Sequence, residues 1–187
     1  MGDLRGRNVT AVDRATNELV IRPWQLRDAP RLHRAVLESV DHLRPWVPFA
    51  AREPITLSER RANIVKWRMW WDSDGDRMFG LFCGRDVVGG CGLHRRVGPG
   101  GLEIGYWVHP RFVRRGFATA AARTMTDEAF AIDGIDRVEI WHQEANAPSG
   151  RIPAALGFTH IGARYRDGMP DVEWMVWRMT RDAWSDA

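Results

Sequence analysis

The stretch Gly101–Met125, GLEIGYWVHPRFVRRGFATAAARTM, decides how the chain is read. It opens as a strand in which Glu103 alternates with Leu102 and Ile104, so the carboxylate faces away from the apolar pair. A Pro/Arg-rich turn follows, and then a helix opening with Gly116. The first amide N–H groups of a helix lack partners within it, and the aligned peptide dipoles place about half a positive charge there. An anion finds donors and a favourable field at such a point, and Arg114 and Arg115 strengthen that field. Gly116 lets an oxygen-rich ligand approach the backbone, while Ala118 and Thr119 keep the first turn slim. On spacing alone the alternative is an exposed arginine-rich turn, since charge runs are usually solvated.

Working outward, ELVIRPW (Glu18–Trp24) reads as a first strand, and RDAPRLHRAVLESV carries Leu32, Ala35 and Val36 at helical spacing. Thr56 and Glu59 form a capping box that opens a helix through Trp71, with Ile64, Trp67 and Trp71 on one face. Between these helices, Pro45 and Pro48 keep DHLRPWVPF irregular. MFGLFC, VVGGCGLHRRV and LEIGYWV then read as three adjacent antiparallel strands separated by GRD and GPGG turns. Downstream lie a helix over Ala118–Ile132, a strand over Arg137–His142, a short segment through Leu156, and the closing strands FTHIGARY and DVEWMVWRM. Pro153 should leave the helix in that short segment short or kinked. The expected order, β-α-α-β-β-β-α-β-α-β-β, makes an α/β (α+β) fold with a mixed sheet flanked by helices.

With 187 residues, 44% hydrophobic and 27% charged, the chain suits one domain, expected over 18–180 between a polar tail at 1–17 and a C-terminal tail at 181–187. Mean hydropathy is -0.38, and no apolar run approaches the roughly 20 residues that cross a bilayer. The opening MGDLRGRNVTAVDRATN has no apolar secretory core. The expectation is a cytoplasmic protein with no membrane partner. Cys83 and Cys91 form neither a disulfide framework nor a metal knuckle and read as buried thiols. Lys66 is the one lysine, and its setting in NIVKWRMWW excludes a GxxxxGK[ST] phosphate loop and argues against a Schiff base. Net charge +3 and pI 9.4 suit an anionic ligand. Arginine is scattered from Arg5 to Arg181 rather than gathered on one face, which argues against nucleic acid. No HExxH or comparable spacing is present, so no metal is expected.

The motifs EIGYWV, RRGFAT, NAPS followed by LGF, and DVEWMVWRM after a DGMP turn, in this order and spacing, resemble the GNAT superfamily of N-acetyltransferases. Within it the chain is similar to the ribosomal-protein N-terminal acetyltransferases of the RimJ/RimL type, from about Glu18 to Thr180. The resemblance implies a mostly antiparallel sheet of about seven strands with about four helices, two strands splaying apart to admit CoA. It implies that the acetyl-CoA pyrophosphate rests on the amides of Arg114, Arg115, Gly116, Phe117, Ala118 and Thr119. The family pattern is [Q/R]xxGx[G/A]; VRRGFA departs from it at Val113, and Arg114 stands where close relatives often have glycine. The pantetheine would pair with the strand ending at Trp107 and Val108, whose amide at Val108 would face the thioester carbonyl and stabilise an oxyanion.

Transfer to an amine requires loss of an ammonium proton, so a carboxylate or histidine near the thioester is sought. Glu103 is the candidate base, acting directly or through water, and a solvated strand glutamate is its alternative. His109 and His142 are rivals, and His142 is also assigned to the substrate. The resemblance places Asn146 on the pantetheine arm and Ser149 near the sulfur as the acid; helix capping is the competing reading for both. The resemblance also places Trp46 in RPWVPF in the segment that borders the acceptor site, where it would form an aromatic wall; a core tryptophan is the competing reading. The sequence thus indicates acetyl transfer from acetyl-CoA to a primary amine, a peptide N-terminus or a small molecule, by direct attack in a ternary complex. An antibiotic or metabolite amine acetyltransferase, and a non-catalytic acyl-CoA or nucleic-acid binding module, stand as alternatives; a homodimer is left open.

Overall fold

A computed structural model describes residues 9–11, 19–167 and 169–186. Glu18, Gly168 of the DGMP turn and most of the stretch 1–17 lie outside the described residues. The chain forms two compact units, residues 1–92 with 106–121 and residues 93–105 with 122–187.

In the first unit β1 (Val9–Ala11) pairs antiparallel with β2 (Leu19–Pro23), which pairs antiparallel with β3 (Arg77–Cys83). β4 (Asp86–His94) follows β3 in the strand order. β1 is an addition to the expected strands and falls in the stretch read as a tail. α1 (Ala29–Leu37) buries Leu32, Ala35 and Val36, as their spacing predicts. They join Trp24, Ile64, Phe82 and Val87 in a core against which Trp67 also packs. Burying each such aliphatic side chain is worth about 1.5–3 kcal/mol. α3 (Leu57–Asp72) opens on the expected capping box: the Glu59 amide donates to Thr56 Oγ1 at 3.2 Å, and the Thr56 amide donates to Glu59 Oε2 at 2.7 Å.

The stretch expected to be irregular is more ordered than its prolines suggest. It begins within the short helix α2 (Val40–Leu43), which stops before Pro45, and Pro48 opens a 3-10 turn through Arg52. Proline is costly in helix interiors but accepted at their first positions, so two prolines delimit short turns rather than abolish them.

β5 (Gly101–Val108) has residues 101–105 in the second unit, where it begins a parallel ladder with β6 (Arg137–Gln143), pairing Gly101 with Arg137 and Glu103 with Glu139. The β5–β6 pairing ends at that rung. β6 pairs antiparallel with β8 (Met169–Thr180), and β8 with β7 (Thr159–Arg166). Val138 and Ile140 face the core while Glu139 lies on the other face, the two-residue period of a strand. α4 (Phe117–Phe130) passes from the first unit to the second, burying Ala122, Met125 and Ala129 in the latter. The last residues, read as a tail, contain α6 (Arg181–Ser185). Arg181 donates to the carbonyl of Phe130, the last residue of α4, and to those of Ile132 and Ile135 in the loop that follows it. Among the described residues no helix is long and apolar enough to cross a membrane.

One buried ion pair permits a stability test. Arg60 donates to Glu53 at 2.7 Å, both side chains being buried. Replacing Arg60 by Met should strand the Glu53 carboxylate and cost about 3–5 kcal/mol in chemical denaturation. A loss below about 1 kcal/mol would show that the pair is not what compensates this charge.

Candidate active site

The stretch that the sequence marks as a candidate anion site lies between β5 and α4. His109 caps the 3-10 turn Pro110–Phe112: its Nδ1 accepts the Arg111 amide at 3.2 Å, and its Nε2 lies 3.1 Å from Glu38 Oε2. With Nδ1 accepting, Nε2 is the protonated nitrogen and donates to Glu38. The chain then turns sharply, with φ of 63° at Arg114 and 80° at Gly116. A Cβ on Gly116 would meet nothing within 4 Å, so the left-handed backbone, not crowding, makes glycine favourable there. Arg114 adopts the same region with a side chain, which accounts for glycine being common at that position in the family it resembles. The first α4 hydrogen bond runs from the Ala120 amide to the Gly116 carbonyl, so the preceding amides have no acceptor in the helix. Arg114, Arg115 and Gly116 are exposed, Phe117 is buried, and Ala118 and Thr119 are half-buried.

Trp107 and Val108 are half-buried at the end of β5. Their approach to β4 is very close: a Cβ on Gly89 would lie 2.2 Å from the Trp107 carbonyl oxygen, and one on Gly90 2.7 Å from its indole nitrogen. Phe49 meets the Trp107 ring edge-on at 6.3 Å. Trp46, half-buried, occupies the same connection between α2 and α3 as Phe49.

Glu103 is buried at 2% exposure, and four guanidinium N–H groups fill its two oxygens. Arg96 donates to both at 2.7 Å, and Arg166 donates at 2.6 and 2.9 Å. Burial is the largest influence on this carboxyl and would raise its pKa, but the bonds and charges of Arg96 and Arg166 together outweigh it and hold the pKa below the ordinary value. Arg166 in turn lies over the faces of Trp141 at 4.7 Å and Trp174 at 4.3 Å. On the paired rung Glu139 is buried too, receiving Arg178 at 2.6 Å and the Trp141 indole at 2.7 Å. A carboxylate so engaged must give up ion pairs before it can take a proton, which weighs against direct base catalysis by Glu103.

Asn146 precedes α5 (Ala147–Ala155), and its side chain makes no capping hydrogen bond, so the capping reading does not describe it. Ser149 lies in the first turn, its amide bonded to the Asn146 carbonyl at 2.9 Å. α5 is nine residues long with Pro153 inside it, the short helix that proline predicted. His142, expected at the substrate, has both ring nitrogens engaged within the protein, by the Trp177 indole and the Gln143 carbonyl.

Arg96, Arg166, Trp177 and Glu38 escape a sequence reading. Arg166 is 63 positions from Glu103 and Trp177 is 35 from His142, with no periodic signal joining them. Only Arg96, across the GPGG turn from Glu103, carried a local hint. Both cysteines are buried, and burial pushes the Cys91 thiol far up.

Because folding depresses the Glu103 pKa, the unfolded chain takes up this proton first as pH falls. The stabilisation is therefore complete above about pH 4.5 and is lost as pH drops through the lower native value. Denaturation midpoints followed below that pH should fall less steeply in Glu103→Gln than in the parent; equal slopes would place the acid sensitivity elsewhere.

Comparison with known proteins identifies the family. Residues 18–159 match the model of the acetyltransferase (GNAT) domain. A protein of Bacillus subtilis (strain 168) named as a candidate ribosomal N-acetyltransferase, YdaF, is 28% identical over 162 residues, covering 83% of this chain and 85% of its own. The crystal structure of a probable acetyltransferase superposes with a TM-score of 0.80 at 26% identity, over 94% of this chain and 99% of that one. RimJ of Mycobacterium smegmatis, solved with a CoA-disulfide, gives 0.75 at 24% identity, over 88% and 83% respectively. The strand, left-handed turn and open helix start thus have their family, and the chain belongs to the GNAT N-acetyltransferases, which use acetyl-CoA as acyl donor.

Proposed function

We propose that this enzyme acetylates the α-amine of a peptide or protein N-terminus, in the manner of the RimJ/RimL type. The observation that carries the reading is the open, arginine-flanked start of α4 directly after β5, joined to a curated relative named for ribosomal N-acetylation. The unpaired amides at Gly116–Thr119, with Arg114 and Arg115, hold the pyrophosphate of acetyl-CoA. The Val108 amide faces the thioester carbonyl and stabilises the developing oxyanion, a contribution typically of about 3 kcal/mol. Asn146, whose side chain caps nothing, holds the pantetheine arm. The acceptor amine attacks the carbonyl carbon, the C–S bond breaks, and Ser149 returns a proton to the thiolate. Glu103 remains anionic between its two arginines, which favours a water-mediated route for the ammonium proton over capture by the carboxylate itself. Trp46 borders the acceptor. Dependence on acetyl-CoA supports residence in the cytoplasm. The match over 18–159 draws on residues of both compact units and supports a single acetyltransferase domain over 18–180.

Acetyl-CoA consumption measured against N-terminal peptides and amine metabolites tests the acceptor class. Peptides are expected to turn over, and activity confined to metabolites would overturn the assignment. Gly116→Glu, which adds a charge and a strained side chain where the pyrophosphate rests, should abolish CoA binding by calorimetry in a folded protein; unchanged affinity would put the ligand elsewhere. Ser149→Ala should lower kcat moderately, by less than the roughly 100-fold typical of a lost general base, with little change in CoA affinity. A change in melting temperature alone would make Ser149 structural.

A further inference from the structure

The segment Gln143–Gly150, which carries Asn146 and Ser149, is bracketed by one imidazole. His142 is buried at 7% exposure on β6. The Trp177 indole, which can only donate, gives its Nε1–H to His142 Nε2 at 3.0 Å. Nε2 is therefore unprotonated, and Nδ1 carries the hydrogen, which it donates to the Gln143 carbonyl at 2.8 Å. The same carbonyl accepts the Asn146 amide at 2.9 Å, so one oxygen joins the ring to the turn that opens α5. At the other end, Gly150 rests against the ring edge: a Cβ there would lie 2.7 Å from both Cε1 and Nε2. This accounts for a glycine within a nine-residue helix, where it otherwise costs about 0.5–1 kcal/mol against alanine. The Trp177 ring is itself held by His160, with ring centroids 5.0 Å apart.

We propose that Trp177 and His142 are positioning residues for acyl transfer. Trp177 fixes the tautomer and orientation of the imidazole, and the imidazole sets where Asn146 and Ser149 stand. The inference rests on the assignment of Asn146 to the pantetheine arm. Other packing holds α5 as well, so the effect of breaking this chain of bonds falls on CoA affinity and turnover rather than on folding.

Trp177→Phe keeps an aromatic ring but removes the N–H donor together with the pyrrole half of the indole, and the His142→Ala background separates the loss of the donor from the loss of volume. Calorimetry should show CoA binding weakened about five- to tenfold, the usual effect of one net hydrogen bond, while the far-ultraviolet spectrum is retained. In a His142→Ala background the same substitution should change affinity no further, because Trp177 acts through the ring. Gly150→Ala approaches the ring from the other side and should also weaken CoA binding, with a smaller loss when His142 is alanine and the clash is gone. Unchanged affinity in Trp177→Phe or Gly150→Ala, or losses that simply multiply in the double variants, would overturn the proposal. Asn146→Ala measured in parallel separates the two levels. If it weakens CoA binding and Trp177→Phe does not, the positioning role alone falls; if it leaves affinity unchanged, the assignment of Asn146 falls and the positioning role with it.

Discussion

Two buried carboxylates on one rung of a parallel ladder constrain the second unit more than any other feature. Glu103 on β5 pairs in register with Glu139 on β6, so like charges stand side by side out of water. Neither can remain ionised there without cations, since desolvation and mutual repulsion both favour the neutral acids. The chain supplies Arg96 from the connection between β4 and β5, Arg166 from β7 and Arg178 from β8. Because each guanidinium reaches its carboxylate from a different element, satisfying the rung fixes where those elements lie. Trp141 and Trp174 complete the arrangement by covering the faces of Arg166 and lowering its access to water.

The same cluster bears on the chemistry. A general base must have a site for the proton, and the Glu103 oxygens are occupied by four donors. Its depressed pKa makes it a stable anion and a weak proton acceptor near neutral pH. The start of α4 poses the opposite electrostatic situation, unpaired amides and exposed arginines with no acidic residue in the first turn. Glu103 is thus an anion already committed to its arginines, whereas the amides at the start of α4 are left without helical acceptors.

Residues that look catalytic by type divide according to whether their polar atoms are spent inside the protein. His109 caps a turn and bonds to Glu38; His142 is held by Trp177 and the Gln143 carbonyl. Asn146, by contrast, stands at a helix start where its side chain could cap and does not.

Much of the architecture was legible because it is local. The capping box of Thr56 and Glu59, the helical spacing of Leu32, Ala35 and Val36, and the alternation of Leu102, Glu103 and Ile104 act over four residues or fewer, so residue order alone determines them. The helix start at Gly116 is legible for the same reason, since the glycine and the slim residues after it mark the first turn locally. The helices α2 and α6 and the strand β1 were not, because short elements carry too little periodicity to announce themselves and owe their stability to neighbours. Whether Glu103 is a free base or a caged anion, and whether His142 faces substrate or braces α5, depended on partners as far as 63 residues away. Sequence determined which groups were present and how each strand or helix presents them; only the tertiary structure decided which were already paired, because pairing across strands is set by register and burial rather than by proximity along the chain.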